Sequence, residues 1–293
     1  MELTTILHSS LTNPPLSPNL FHSKFPQSFS TPIHHRTCLP SPCLTFSPPL
    51  PPKSFSTNCS VSDDPTSAAN VFTADPSIAL KKKAADISAD LRGTSLFLVG
   101  MNNSIKSSLG ALLADLLRYY YFDSDALVSE AAGGESAAVS LKDTDEKGFR
   151  ESETEVLKQL SSMGRLVVCV GDGAVQSSTN LALLRHGISI WIDVPLDIVA
   201  TGVIGNKSLL LSSEITNSGS YSEVFSQLSA LYEDMRRGYA TADATVSLQK
   251  VAYQLGYEEM DAVSTEGPTL EVLKEIERLT RVKKMMEEAA RPF

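Results

Sequence analysis

Residues 95–100 read SLFLVG, an unbroken apolar run stopped by a glycine, and a polar loop then leads to leucines at positions 109, 112, 113, 116 and 117. Apolar residues without alternation suit a strand covered on both faces, and leucines three and four apart put one apolar face on a helix over 106–118. The same alternation recurs down the chain. Strands are expected at 119–122, 166–170, 188–194 and 245–248, and helices at 149–161, 180–185, 221–237 and 269–288. Strand and helix in turn predict an α/β domain of three layers, a five-stranded parallel sheet between helices joined by right-handed crossovers. Two stretches resist the pattern. Residues 131–147 and 204–220 are rich in Gly, Ser, Asn or acids and read as loops at the C-terminal edge of the sheet, where ligands bind and lids form.

The first sixty of the 293 residues have another composition: 11 of the 16 prolines, 18 Ser plus Thr, and one acid, Glu2, against Lys24, Arg36 and Lys53. Prolines this dense remove backbone donors, and no apolar period recurs, so residues 1–60 are expected to be a disordered leader. Their scarcity of acid and abundance of hydroxyls match an organelle transit peptide. A chloroplast address is favoured over a mitochondrial one, because Arg36 is the leader's one arginine and prolines forbid a long amphipathic helix. Residues 61–93 read as a linker or a short helix leading into the fold, and 94–288 as the folded domain. Loss of the leader would remove Cys38, Cys43 and Cys59 and leave Cys169 alone, too few for an internal disulfide or a zinc cage. Cys169, in an expected buried strand, reads as core, as do Trp191 and the tyrosines at 119–121.

Residues 61–293 hold 22 Lys plus Arg and 33 Asp plus Glu, a formal charge of −11. Such a body repels phosphate backbones, which argues against nucleic-acid partners. No apolar run approaches the ~18–20 residues of a membrane-spanning helix, which argues against membrane insertion.

The loop from Gly100 to Ser107 lies between strand and helix, the context of a phosphate-binding loop. Such loops work because backbone N–H groups and a helix N-terminus face the phosphates, a Lys adds mobile charge and a Ser or Thr ligates magnesium. Gly100, Lys106 and Ser107 suit that task. Ile105 does not: the position before the lysine asks for glycine, and a β-branched side chain there is expected to cost ~1–3 kcal/mol in strain or overlap.

Taken with these motifs, the run LRGTSLFLVGMNNSIKSSLGALLADLLRYYYFDSDALV, continued by DEKGFRESETEVLKQL and LVVCVGDGAV, resembles the shikimate kinases. It is most similar to their plant chloroplast shikimate-kinase-like branch, regarded as inactive. The resemblance spans roughly 91–285 and implies a nucleoside-monophosphate-kinase-like P-loop fold and transfer of the ATP γ-phosphoryl to the 3-hydroxyl of shikimate. It also implies roles for particular residues. Asp123 and Ser107 would belong to the magnesium environment, Asp125 would orient the acceptor hydroxyl and assist its deprotonation, and Arg150 would grip the substrate carboxylate. Gly171 and Gly173 would bring bare backbone to the substrate.

Several positions depart from the family pattern. Asn103 and Ile105 replace loop glycines, the first a mild change because Asn tolerates left-handed dihedrals. Asp172 replaces the middle of three glycines and sets a negative charge beside an anionic substrate; at ~4 Å and an effective dielectric of ~20 the repulsion is about 4 kcal/mol. Lys207 stands for a lid arginine, keeping charge and losing the planar fork. A later family element, Arg two residues before Pro-Leu-Tyr, is met only by the stretch from Met235 to Tyr239, where Arg236 or Arg237 could serve. These changes favour a catalytically silent chloroplast protein, with no cofactor expected, an unidentified protein partner in the plastid and, by resemblance, a role in chloroplast biogenesis. Two alternatives remain: a working kinase using ATP and magnesium on shikimate or another hydroxy acid, and a module sensing a nucleotide or metabolite.

Overall fold

The computed structural model describes residues 76–205, 220–257 and 264–291. The leader, Lys207 and most of the stretch 204–220 lie outside the described residues.

Five parallel strands form one sheet. They are β1 (Leu96–Val99), β2 (Tyr120–Asp123), β3 (Leu166–Cys169), β4 (Ile188–Asp193) and β5 (Ala244–Ser247), in the order β2-β3-β1-β4-β5. Register follows the apolar runs: Leu96 pairs with Val167 and with Ile188, and Val99 with Trp191. Every residue of β1 and β3 is buried, so both strands are uninterrupted hydrophobic runs, whereas β2, at the sheet edge, is partly exposed. The expected five-stranded parallel architecture is therefore present. Strand limits agree with the sequence reading within one or two residues.

The helices depart more. Of the stretch read as linker or short helix, Pro76–Leu91 forms α1, whose Leu80, Ala84, Ile87 and Leu91 repeat at helical spacing and are buried. Helix α1 packs on α10 (Glu266–Ala289), with Lys83 paired to Glu277. The stretch 131–147, expected to be a loop, is almost wholly helical. Helix α3 (Ser124–Ala132) ends at Gly133, α4 spans Glu135–Thr144 and α5 spans Glu146–Ser161. Gly133 and Gly134 break the helix at φ 98° and 121°. The Ala-, Ser- and Glu-rich run after them still has good helix formers, and it docks through the fully buried Ala138.

Helix α2 (Ser104–Leu117) follows β1, and α6 (Ser178–Leu184) follows a 3₁₀ turn at Asp172–Gln176. Beyond β4 come α7 (Leu196–Gly205) and α8 (Tyr221–Tyr239), and beyond β5 comes α9 (Leu248–Leu255). Among the described residues no helix is long and apolar enough to cross a membrane. Because β1 lies between β3 and β4, the loops after β1 and β3 leave the same sheet edge side by side, joined by the Val170 N–H donating to Leu98 O at 2.9 Å. That edge carries the candidate site.

Candidate active site

Gly100 turns the chain out of β1 at φ 130°, and any Cβ there would strike the carbonyl of Ile192, so only glycine fits. Asn103 then caps α2: its Oδ1 accepts from the Lys106 backbone N–H at 2.8 Å, and its Nδ2 donates to Met101 O at 2.7 Å. The reason expected for its mildness is corrected, since Asn103 has φ −161°, ordinary extended backbone. The capping oxygen instead occupies one of the N–H groups that an anion at a helix N-terminus would use. Ile105 is corrected likewise. It lies in the first turn of α2 and is not among the residues with positive φ, so no backbone strain is stored and only its bulk at the loop remains.

Lys106 is 1% exposed. Its ammonium donates to Gly100 O and Val170 O, each at 2.8 Å, and lies 3.9 Å from Asp172 Oδ1. Asp172 Oδ1 is buried and makes no hydrogen bond within the described residues, so its link to Lys106 is one of charge alone, and the backbone amide of Asn102 lies beside the carboxylate. A negative charge thus lies beside the loop amine and a loop amide, groups that a phosphate would use. The sequence placed Asp172 beside the acceptor substrate; the structure places it against the phosphate loop as well, its side chain 14% exposed. Burial raises its pKa, with Lys106 and the Asn102 amide opposing.

Asp125, Arg150, Gly171 and Gly173 do come together. A Cβ on Gly171 would strike the Asp125 carboxylate, and one on Gly173 would strike the Arg150 guanidinium, so each side chain is seated on bare main chain. Ser124 Oγ accepts the Gly171 N–H at 2.9 Å. Asn102 Nδ2 donates to Asp125 Oδ2 at 3.3 Å. The Asp125 pKa is pushed up to about 8, first by desolvation and then by the charges of Asp172 and Asp123, with Lys106 pulling the other way.

Arg150 is gripped by Glu153, Nη1 to Oε2 at 3.2 Å, and lies 3.7 Å from Glu146. Glu153 is 2% exposed, and burial raises its pKa against the opposing pull of Arg150. Sequence reasoning missed Glu153, although its spacing of three from Arg150 on one helix is a legible signal.

The magnesium positions fit the ion poorly. Asp123 Oδ1 caps α3 by accepting from the N–H groups of Asp125 and Ala126 at 3.0 and 3.2 Å. Ser107 Oγ donates to Asn103 O at 3.4 Å, and the Tyr121 hydroxyl lies beside Ser107 and Cys169. Among the described residues no group of three His, Cys, Asp or Glu is arranged to hold a metal. Magnesium at such sites takes much of its coordination from phosphates, and the Asp172 carboxylate lies beside the loop lysine that would meet them. Cys169 is buried, with its pKa pushed up to about 11 chiefly by desolvation, which agrees with a core role.

Arg236 and Arg237 make no hydrogen bond or ion pair with Asp125, Arg150 or Asp172 among the described residues. Both are exposed, and Arg236 lies 3.6 Å from Glu233. Tyr239 fixes the register: it is buried, stacked 5.9 Å from Trp191, and its hydroxyl donates to Met235 Sδ at 3.2 Å. Counted back from Tyr239, the arginine position of the family element falls on Met235, which is buried. A thioether stands where the sequence comparison called for a cation.

A family model, "Shikimate kinase", matches residues 102–256. "Probable inactive shikimate kinase like 1, chloroplastic" of Arabidopsis thaliana is 61% identical over 224 residues, covering 76% of this chain and 77% of the relative. "Shikimate kinase 3, chloroplastic" of rice (Oryza sativa subsp. japonica) is 38% identical over 218 residues, covering 73% and 75%. The shikimate kinase of Acinetobacter baumannii, solved with shikimate, superimposes with a TM-score of 0.52 at 22% identity, covering 67% of this chain and 97% of that one. It supports the fold. Both plant relatives are chloroplast proteins, in agreement with the location expected from the leader.

Proposed function

Because the chain belongs to the shikimate kinase family, we propose that it is a chloroplast member of that fold in which phosphoryl transfer has been lost and the phosphate loop is closed by the protein's own carboxylate. One observation carries this reading: the buried Asp172 carboxylate lies 3.9 Å from the Lys106 ammonium, with the loop amide of Asn102 beside it. An incoming phosphate would have to displace a tethered anion from a desolvated seat, and its approach past Ile105 lacks the glycine that such loops use.

Two further features act on the acceptor side. A general base must be unprotonated to take a proton, and Asp125, with a pKa of about 8, holds its own proton through the neutral range. Met235 supplies no charge toward an acidic substrate. The surviving Arg150, Glu153 and Asp125 constellation is inherited architecture, and a non-catalytic role in chloroplast biogenesis is the function to which this reading belongs.

A coupled assay of the full chain with ATP, magnesium and shikimate tests it. No turnover above the background of a Lys106→Ala variant is expected, and Ile105→Gly combined with Asp172→Gly should restore measurable activity or ATP binding. Shikimate phosphorylation by the unmodified chain that disappears with Lys106→Ala would overturn the proposal and establish a working kinase.

A further inference from the structure

At the opposite end of the sheet, where β1, β4 and β5 begin, lies a half-open cavity of about 390 Å³. This is a volume suited to a small organic ligand. Three separate elements build its walls: the turn after α1 brings Arg92, the turn before β4 brings Arg185 and His186, and the last turns of α10 bring Lys283 and Lys284. Its floor is apolar, from Leu91, Ile188 and Leu279.

The backbone presenting these cations is held in place. Arg92 and Gly93 turn at φ 49° and 81°, closed by the Thr94 N–H donating to Leu91 O at 2.8 Å. A Cβ on Gly187 would strike Ser95 O and the Phe97 ring, and the Ile188 N–H donates to Ser95 O at 2.9 Å. The cup is therefore fixed by the packing of β1 and β4 and does not depend on a free loop.

Its charge runs against that of the molecule. In a chain of formal charge −9, four permanent cations face three carboxylates, Asp90, Asp243 and Glu287. Asp243 accepts the N–H and the hydroxyl of Ser189, each at 2.8 Å, and Glu287 lies 3.8 Å from Arg92. Arg185, Lys283 and Lys284 make no ion pair with another described residue. We propose that this cup, remote from the inherited site, binds a small phosphate ester carrying at least two negative charges, its phosphates held by Arg185, Lys283 and Lys284 and its carbon skeleton on the Leu91, Ile188 and Leu279 floor. The apolar floor favours an ester over free phosphate, and the concave form favours a small molecule over a protein surface.

Calorimetric titration of the full chain at low ionic strength, with fructose 1,6-bisphosphate, inorganic pyrophosphate and inorganic phosphate as probes, tests this directly. Saturable binding is expected, tightest for the bisphosphate ester, and weakened at least about tenfold by Arg185→Ala combined with Lys284→Ala. Both side chains are exposed, so melting temperature should stay within about 2 °C of the unmodified chain. Absence of saturable heat for all three probes would overturn the proposal. So would binding that survives the paired substitution, or binding lost instead with Lys106→Ala, which would place the anion in the inherited loop. Shikimate turnover is read separately, so failure here leaves the silent-kinase reading standing.

Discussion

Asp172 acts on two neighbours with opposite needs. It sets a negative charge 3.9 Å from the desolvated ammonium of Lys106, and it helps hold a proton on Asp125, whose pKa of about 8 owes its second-largest contribution to the Asp172 charge. Asp172→Asn should therefore move the Asp125 titration to lower pH, read from carboxyl carbon shifts in an NMR pH series; an unmoved titration would show that burial alone sets it. The sign for stability follows from proton counting. Between the unfolded pKa near ~3.9 and about 8 the native state binds the proton and the unfolded state does not, so this group's contribution falls as pH rises through that window. Asp125→Asn should flatten the decline in melting temperature between mildly acidic pH and pH 8, with Asp123, Asp172, Glu153 and Lys106 as the other charges acting on the group. The residues of this cluster were legible one by one as motif positions. The Asp172–Lys106 contact was not, because it joins positions 66 apart and depends on β1 and β3 being neighbours.

The strands were readable because both faces of β1 and β3 are covered, which leaves a continuous apolar signature. Helices α1 and α4 were harder. Each is rich in Ala, Ser, Lys and acids and presents a thin buried stripe, which resembles linker composition until the partner helix is known. Helix α1 nonetheless belongs to the folded body: it packs on α10 and α2, and its Leu80 and Ile87 are buried. Ile87→Ala should cost about 2–5 kcal/mol, measured by denaturant unfolding, because Ile87 is fully buried on a helix packed against α10 and α2. A loss below about 0.5 kcal/mol, the range of surface substitutions, would show that α1 packs only loosely. The end of α8 is a different case. The arginines at 236 and 237 looked usable because charge is visible in sequence, whereas helix register relative to Tyr239 is a property of packing.

For the whole molecule, inherited architecture coexists, on the proposed reading, with lost chemistry. The sheet order, the glycines under Asp125 and Arg150 and the buried Glu153 depend on packing and persist. On the proposed reading, the positions held by Asp172, Ile105 and Met235 served ligand chemistry alone and were free to change. The central claim is that the protein's own carboxylate fills the phosphate seat, and it is tested most directly by calorimetric titration of magnesium ATP into the full chain and into the Ile105→Gly, Asp172→Gly variant. The account predicts no saturable heat from the unmodified chain and one-to-one binding by the variant. Saturable binding of equal strength in both, abolished by Lys106→Ala, would contradict it.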